Sequence, residues 1–188
     1  SMESFRKICT NRNLVNLKKF YQMPYTTLSY LCDATRDADA RAFARLMRHL
    51  QEVDGEACTV VAVQVENETG VMGNAREMSD EADALFAAEV PQAFVDYMKE
   101  NVQDMAPDVA EAVRQGADSG SWEAVFGECA GEIFSAYHIA SYVNAVAAAG
   151  KAEYPLPMTV NCWLDKGEEP GMYPSGGPVS RMMEVWEY

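Results

Sequence analysis

The sequence predicts an α/β fold with parallel strands flanked by helices, and three observations carry that expectation. A helical stripe ends at a glycine and leads into a continuous apolar run at residues 59–65. A long helical stretch then leads to a second strand-like run at residues 158–163. Each run ends in polar, glycine-containing sequence followed by more helix. Strand–helix–strand order of this kind places the strands parallel, joined by right-handed crossovers.

The elements follow in chain order. Residues 1–31 hold the basic stretch Arg6, Lys7, Arg12, Lys18 and Lys19 and have weak periodicity, so they are expected to be irregular, with one short helix at 14–20. From Asp37, the residues Phe43, Leu46, Met47, Leu50 and Val53 recur at helical spacing as one apolar stripe. Asp54-Gly55 supplies the stop. The run 59–65 is β-branched and unalternating, as in a parallel strand covered on both faces.

Two glycines mark a loop at 70–78, and Ser79 with Asp80 and Glu81 reads as a helix cap to about Ala88. Pro91 starts a helix to about Val102, and residues 107–115 make another. Residues 116–127 are expected as a loop carrying Trp122. A long helix spans 132–149, with Gly150 as its stop. After the second strand, a Gly/Pro-rich loop at 167–177 leads to a last helix from Pro178.

The chain of 188 residues is 48% hydrophobic, ample for one core. A formal net charge of −14 disfavours nucleic acid and anionic membrane as partners. No run reaches the length of a membrane span, and no apolar segment of signal-peptide type follows the N-terminus. Five cysteines are scattered without a C-x-x-C pair, which opposes both a disulfide framework and a zinc site. Cys58 and Cys162 read as small buried thiols. A reduced, cytoplasmic setting is expected, with neither cofactor nor metal.

Chemistry is expected where the first strand ends, because the carboxyl ends of parallel strands carry the sites of α/β folds. That end reads Glu66-Asn67-Glu68-Thr69-Gly70. Period-2 geometry puts Gln64, Glu66 and Glu68 on one face and Asn67 on the other, so a bulge or twist must turn one of them. Read without further context, such a polar burst is an ordinary solvated strand exit. Glu66 and Glu68 as a cation site lack an evident third ligand. Trp122 and Tyr173 lie in loops, as pocket walls or simple loop packing. His49 and His138 read as surface or capped histidines on helices.

The octet Val63-Gln64-Val65-Glu66-Asn67-Glu68-Thr69-Gly70 resembles the acid/base signature of glycoside hydrolase family 35, the β-galactosidases, which reads V-Q-V-E-N-E-x-G. The resemblance extends over residues 33–188. It takes in the helix with Asp37, Arg41, Phe43 and the run Leu46-Met47-Arg48-His49-Leu50, the approach 147–157 with Val160-Asn161, and the loop 173–178. These stretches resemble the bacterial branch that carries an extra β domain after the barrel. Residues 1–32 resemble the family weakly or not at all.

The resemblance implies a partial (β/α) TIM barrel, with the two strands as the fourth and fifth of eight. A full barrel of this kind needs about 250 residues. Glu68 then takes the acid/base position of a retaining glycosidase, and Asn67 holds the 2-hydroxyl of a β-galactoside. Asn161 and Trp163 follow the fifth strand as further substrate-binding residues, with a core role for Trp163 equally open.

A retaining enzyme needs a second carboxylate about 5 Å from the acid. The family's nucleophile at the seventh strand has no counterpart in this chain. The expectation is therefore a fragment or truncated relative, holding half of a catalytic pair. The alternative is an inactive truncated barrel that acts as an oligomeric or partner-binding protein. Its exposed strand edges lead to the expectation of a homo-oligomer, most simply a dimer, unless residues 26–31 supply a covering strand.

Overall fold

The computed structural model describes residues 13–15, 25–163 and 169–188. Two short strands, β1 (Asn13–Val15) and β2 (Tyr25–Thr27), form an antiparallel pair. Helix α1 (Asp33–Asp54) leads to β3 (Val63–Asn67). Four helices follow: α2 (Asp80–Ala87), α3 (Gln92–Glu100), α4 (Pro107–Gln115) and α5 (Trp122–Phe126). A 3-10 turn, Gly127–Cys129, leads into the long α6 (Ala130–Glu153). Strand β4 (Met158–Asn161) pairs with β3 in parallel, and the chain ends in a 3-10 turn and α7 (Met183–Glu187). The α/β class with a parallel pair is therefore present.

The amino-terminal segment departs from expectation. Asn13–Val15 is strand where a helix over 14–20 was expected, and residues 16–20 lie outside the described residues. Thr26 and Thr27 do form strand, yet they pair with β1 and not with either edge of the β3–β4 sheet.

Two helix starts match their sequence signals. Ser79 caps α2 by accepting from the Ala82 amide at 3.1 Å, which satisfies one of the open donors of the first turn. Pro107 occupies the first turn of α4, where its missing N–H costs nothing. Residues 116–127 are not a plain loop, because Ser121 caps the short α5. There Trp122 is only 2% exposed, inside a ring cluster with Phe94, Phe126, Phe134 and Tyr137. The final helix is shorter than expected, starting after a 3-10 turn at Ser180–Met182.

Gly150 is not a stop: α6 runs through it to Glu153. Its role is contact. A Cβ at Gly150 would lie 2.2 Å from Cε1 of Phe43 on α1, so the missing side chain lets α1 and α6 approach. Arg48 clamps the same pair through both oxygens of Glu153, at 2.8 and 2.5 Å.

Strand β3 starts four residues later than expected. The carboxylate of Asp54, at the end of α1, accepts the Thr59 amide at 3.1 Å, the Val60 amide at 2.9 Å and the Thr59 hydroxyl. Those donors are spent on a helix-exit clasp and cannot join a ladder.

Most of the core lies between helices. Phe94, Met98, Phe126, Ile133, Phe134 and Met182 are fully buried there. A smaller cluster of Val71, Ile139 and Val143 lies behind the sheet, with Val65 and Val160 packed on it. The strands are not covered on both faces: Val63, Val65, Met158 and Val160 are half-buried, and Val61 is 73% exposed. The α1 stripe is likewise only part-covered. Met47 is sealed, while Leu46 and Val53 are 50% and 63% exposed.

Candidate functional site

The carboxyl ends of β3 and β4 lie together. Asn67 stands opposite Asn161, and the Asn161 side-chain amide donates to Oδ1 of Asn67 at 3.0 Å. Gln64 donates to the same oxygen at 3.2 Å. Between Gln64 and Asn67 the strand takes three steps while its partner takes two, from Thr159 to Asn161. The extra residue is a bulge. It answers the period-2 problem that the sequence poses at Glu66-Asn67-Glu68.

Glu68 then leaves the strand with φ of +50°, the left-handed region, which a side chain other than glycine rarely adopts. Its amide still donates to the carbonyl of Asn161 at 3.2 Å, so the turn stays bound to β4. Glu68 is half-buried and Asn67 is exposed. Asn161 is half-buried at the end of β4. Trp163 is half-buried too, and it packs against the larger core.

The loops beyond this edge are braced against each other. Val71 and Ser175 exchange backbone bonds at 2.8 and 2.9 Å. Gly70 has φ of +151° and lies so near the Pro174 backbone that a Cβ would meet it at 2.4 Å. The Ala75 carbonyl accepts from Ser135 at 2.9 Å and Ser175 at 2.7 Å. Glu77, 3% exposed, takes the hydroxyls of Ser29 at 2.9 Å and Ser79 at 2.7 Å. Tyr173 is no pocket wall. It is 2% exposed and donates to Glu132 at 2.6 Å, while Arg181 reaches its oxygen at 3.1 Å.

One carboxyl group beside the strand end escaped the sequence reading as a partner. Glu66 is half-buried, and burial, the charge of Asp39 and a hydrogen bond with Asp39 raise its pKa above the ordinary carboxylate value. Asp39 in turn accepts from the hydroxyl of Tyr142 on α6 at 3.1 Å. Separations of 27 and 103 residues hide this contact from any local motif.

Among the described residues, no group of three or more His, Cys, Asp or Glu could hold a metal ion. Cys58, Cys129 and Cys162 are free thiols. Cys32 is buried, whereas Cys58 and Cys162 are exposed, because Cys58 sits in the exit turn of α1, its amide bonded to the Asp54 carbonyl at 2.7 Å, and Cys162 lies just past the end of β4. His49 is exposed as expected. His138 is half-buried: it sits against Phe134 at 4.5 Å, Tyr137 at 5.1 Å and Trp122 at 5.9 Å. Burial there pushes its imidazole down to about 4.

No protein-family model and no curated protein matches the chain. No helix among the described residues is long and apolar enough to cross a membrane. What the site offers chemically is a half-buried carboxyl, an exposed amide and a second amide, gathered at the carboxyl edge of a parallel strand pair.

Proposed function

We propose that the chain is a section of a (β/α)-barrel retaining glycosidase of the β-galactosidase type, working in a reduced, cytoplasmic setting. Glu68 is its acid/base, and Asn67 holds the sugar hydroxyl. Asn161 and Trp163 extend the substrate edge. The observation that carries the reading is the position of Glu68 at the carboxyl end of β3, tied by its amide to Asn161 on the parallel neighbour. Barrel enzymes gather their reacting groups on that edge.

Retaining hydrolysis needs a proton donor for the leaving oxygen and a carboxylate that forms the glycosyl-enzyme bond. In this reading Glu68 donates the proton and then, as a base, draws one from the attacking water. The nucleophile comes from another barrel segment. The test is turnover of an aryl β-galactoside by the chain alone and mixed with flanking barrel segments. The expected result is no turnover alone, turnover in the mixture, and its loss in Glu68→Gln. Strong turnover by the chain alone would place a second working carboxylate within it and sink the divided site.

A second reading, a non-catalytic barrel remnant that self-associates as a dimer, draws on the exposed Val61, Val53 and Leu46 and on the half-buried sheet. Exposed strand edges and apolar faces of this kind are ordinarily covered. Light scattering at micromolar concentration should give a dimer mass, rising in share with salt as the −14 charge of each copy is screened. A monomer at every concentration and salt level would remove this reading.

A further inference from the structure

We propose that the groove between α6, the β3–β4 sheet and α7 binds a single-chain amphiphile, its apolar tail on the groove floor and its carboxylate head at Lys151. The groove has a volume of about 530 Å³ and is lined from all four elements. Small-molecule sites span roughly 300–1,000 Å³. Fifteen residues line the groove. A stable protein interface takes roughly 20–30 a side, so the size fits a small ligand and not a protein partner.

The sequence of α6 builds the hollow. Ala140 and Ala147 stand about two turns apart on one face, and their methyl groups leave room beside the sheet. Val143 and Val185 are buried, and Val65 and Val160 are half-buried, so the floor is aliphatic. Ser141, Asn144, Lys151 and Thr159 are exposed and form a polar rim. Tyr137, Ser141, Asn144 and Lys151 recur at helical spacing, so the groove follows α6 for about 21 Å. A long aliphatic floor under a polar rim suits a narrow tail better than a compact polar ligand.

The two ends of the groove differ in charge. Lys151 lies in the last turn of α6. The carboxylate nearest to it in sequence, Glu153, is held by Arg48. Among the described residues, Lys151 makes no ion pair. Tyr137 marks the other end, stacked on Tyr188 at 6.1 Å, and Glu187 lines that end. Trp186 lines it too, but its indole N–H is spent on the Gly176 carbonyl at 3.1 Å. An anionic head is therefore attracted at Lys151 and repelled at Glu187, which fixes the direction of the ligand. Among the described residues, the side chains of Ser141, Asn144 and Thr159 make no hydrogen bond, so they are open to the head.

The test is an amide NMR titration of the intact chain with decanoate, decanol and decyltrimethylammonium, each below its micelle concentration. Decanoate should shift the amides of Ser141, Asn144, Lys151 and Val160 saturably. It should bind about two- to fivefold more tightly than decanol, the gain that an exposed ion pair gives. Octanoate should bind about tenfold more weakly than decanoate, because each methylene buried on the floor tightens binding about three- to fourfold.

Lys151→Ala should remove the preference for decanoate and leave decanol binding unchanged. Lys151→Glu should turn the preference toward decyltrimethylammonium. Lys151 is exposed, so neither change disturbs the core. A native chain whose groove amides do not shift saturably with decanoate would overturn the proposal. So would native binding of decyltrimethylammonium as tight as that of decanoate, or shifts confined to the exposed Leu46 and Val53. Groove amides that shift with protein concentration alone, as tumbling slows, would make the occupant a second copy and also overturn it. The proposal does not rest on the role of Glu68, and failure of the galactoside assay would leave these outcomes untouched.

Discussion

His138 gives the fold a pH dependence that can be worked out in advance. Its ring lies among Trp122, Phe134 and Tyr137, and burial alone moves its pKa from 6.5 to about 4. A folded pKa below the unfolded one means that the unfolded chain binds the proton more tightly. The contribution to stability is therefore complete above the unfolded value, and it is lost as pH falls from about 6.5 toward 4. At pH 5 the unfolded imidazole is almost fully protonated and the folded one is not, which costs about 2 kcal/mol, rising to about 3.4 kcal/mol well below pH 4.

Among the described residues, four carboxyls act in the opposite sense. Glu66, Glu77, Glu132 and Glu184 are all raised, chiefly by burial, and each adds stability as pH falls. The native profile alone cannot isolate the histidine, so the assay is a difference. Urea unfolding of the native chain and of His138→Phe, at pH 7.5 and 5.0, should show the native chain losing about 2 kcal/mol more than the variant between the two conditions. Phenylalanine keeps the ring contacts, and any packing offset is constant with pH. Parallel profiles for the two proteins would refute the burial argument, because they would mean that His138 titrates equally in both states.

Two further substitutions test the packing. Gly150→Ala should destabilise by about 1–3 kcal/mol despite alanine's better helix propensity, since the new Cβ would lie 2.2 Å from Phe43; Phe43→Ala in the same chain should recover part of the loss, measured by urea unfolding. Ser79→Ala should cost about 1 kcal/mol through the lost cap, with increased amide exchange confined to the first turn of α2.

How much of this was legible depended on the range of the interaction. Caps and breakers act within four residues, so Ser79 and Pro107 marked helix starts correctly. Apolar continuity identified both parallel strands, because β-branched runs have few other uses. Gly150 misled because a glycine that ends a helix and a glycine that admits a neighbouring ring are the same letter. Asp54 misled in a related way: its side chain took donors from Thr59 and Val60, which propensity had assigned to the ladder. At the site, the order Glu66-Asn67-Glu68 made a bulge necessary but gave no hint of the bond between Asp39 and Tyr142, which forms only once α1 and α6 have packed.

That dependence orders the chain's architecture. The sheet has little burial of its own, and its strands are held by contacts that run back to helices, with Ile139 and Val143 behind Val65 and Val160. The tightly packed helical core is built from other residues, among them Phe94, Phe126 and Phe134. Loosening the α1–α6 contact at Gly150 should therefore disturb the edge that carries Asn67, Glu68 and Asn161 before it reaches the helical core. Amide exchange in Gly150→Ala should rise first at Glu68 and along α1, while Phe94 and Phe126 keep native protection. A uniform rise across both regions would mean that the two cores open as one, and that the site edge has no separate stability to lose.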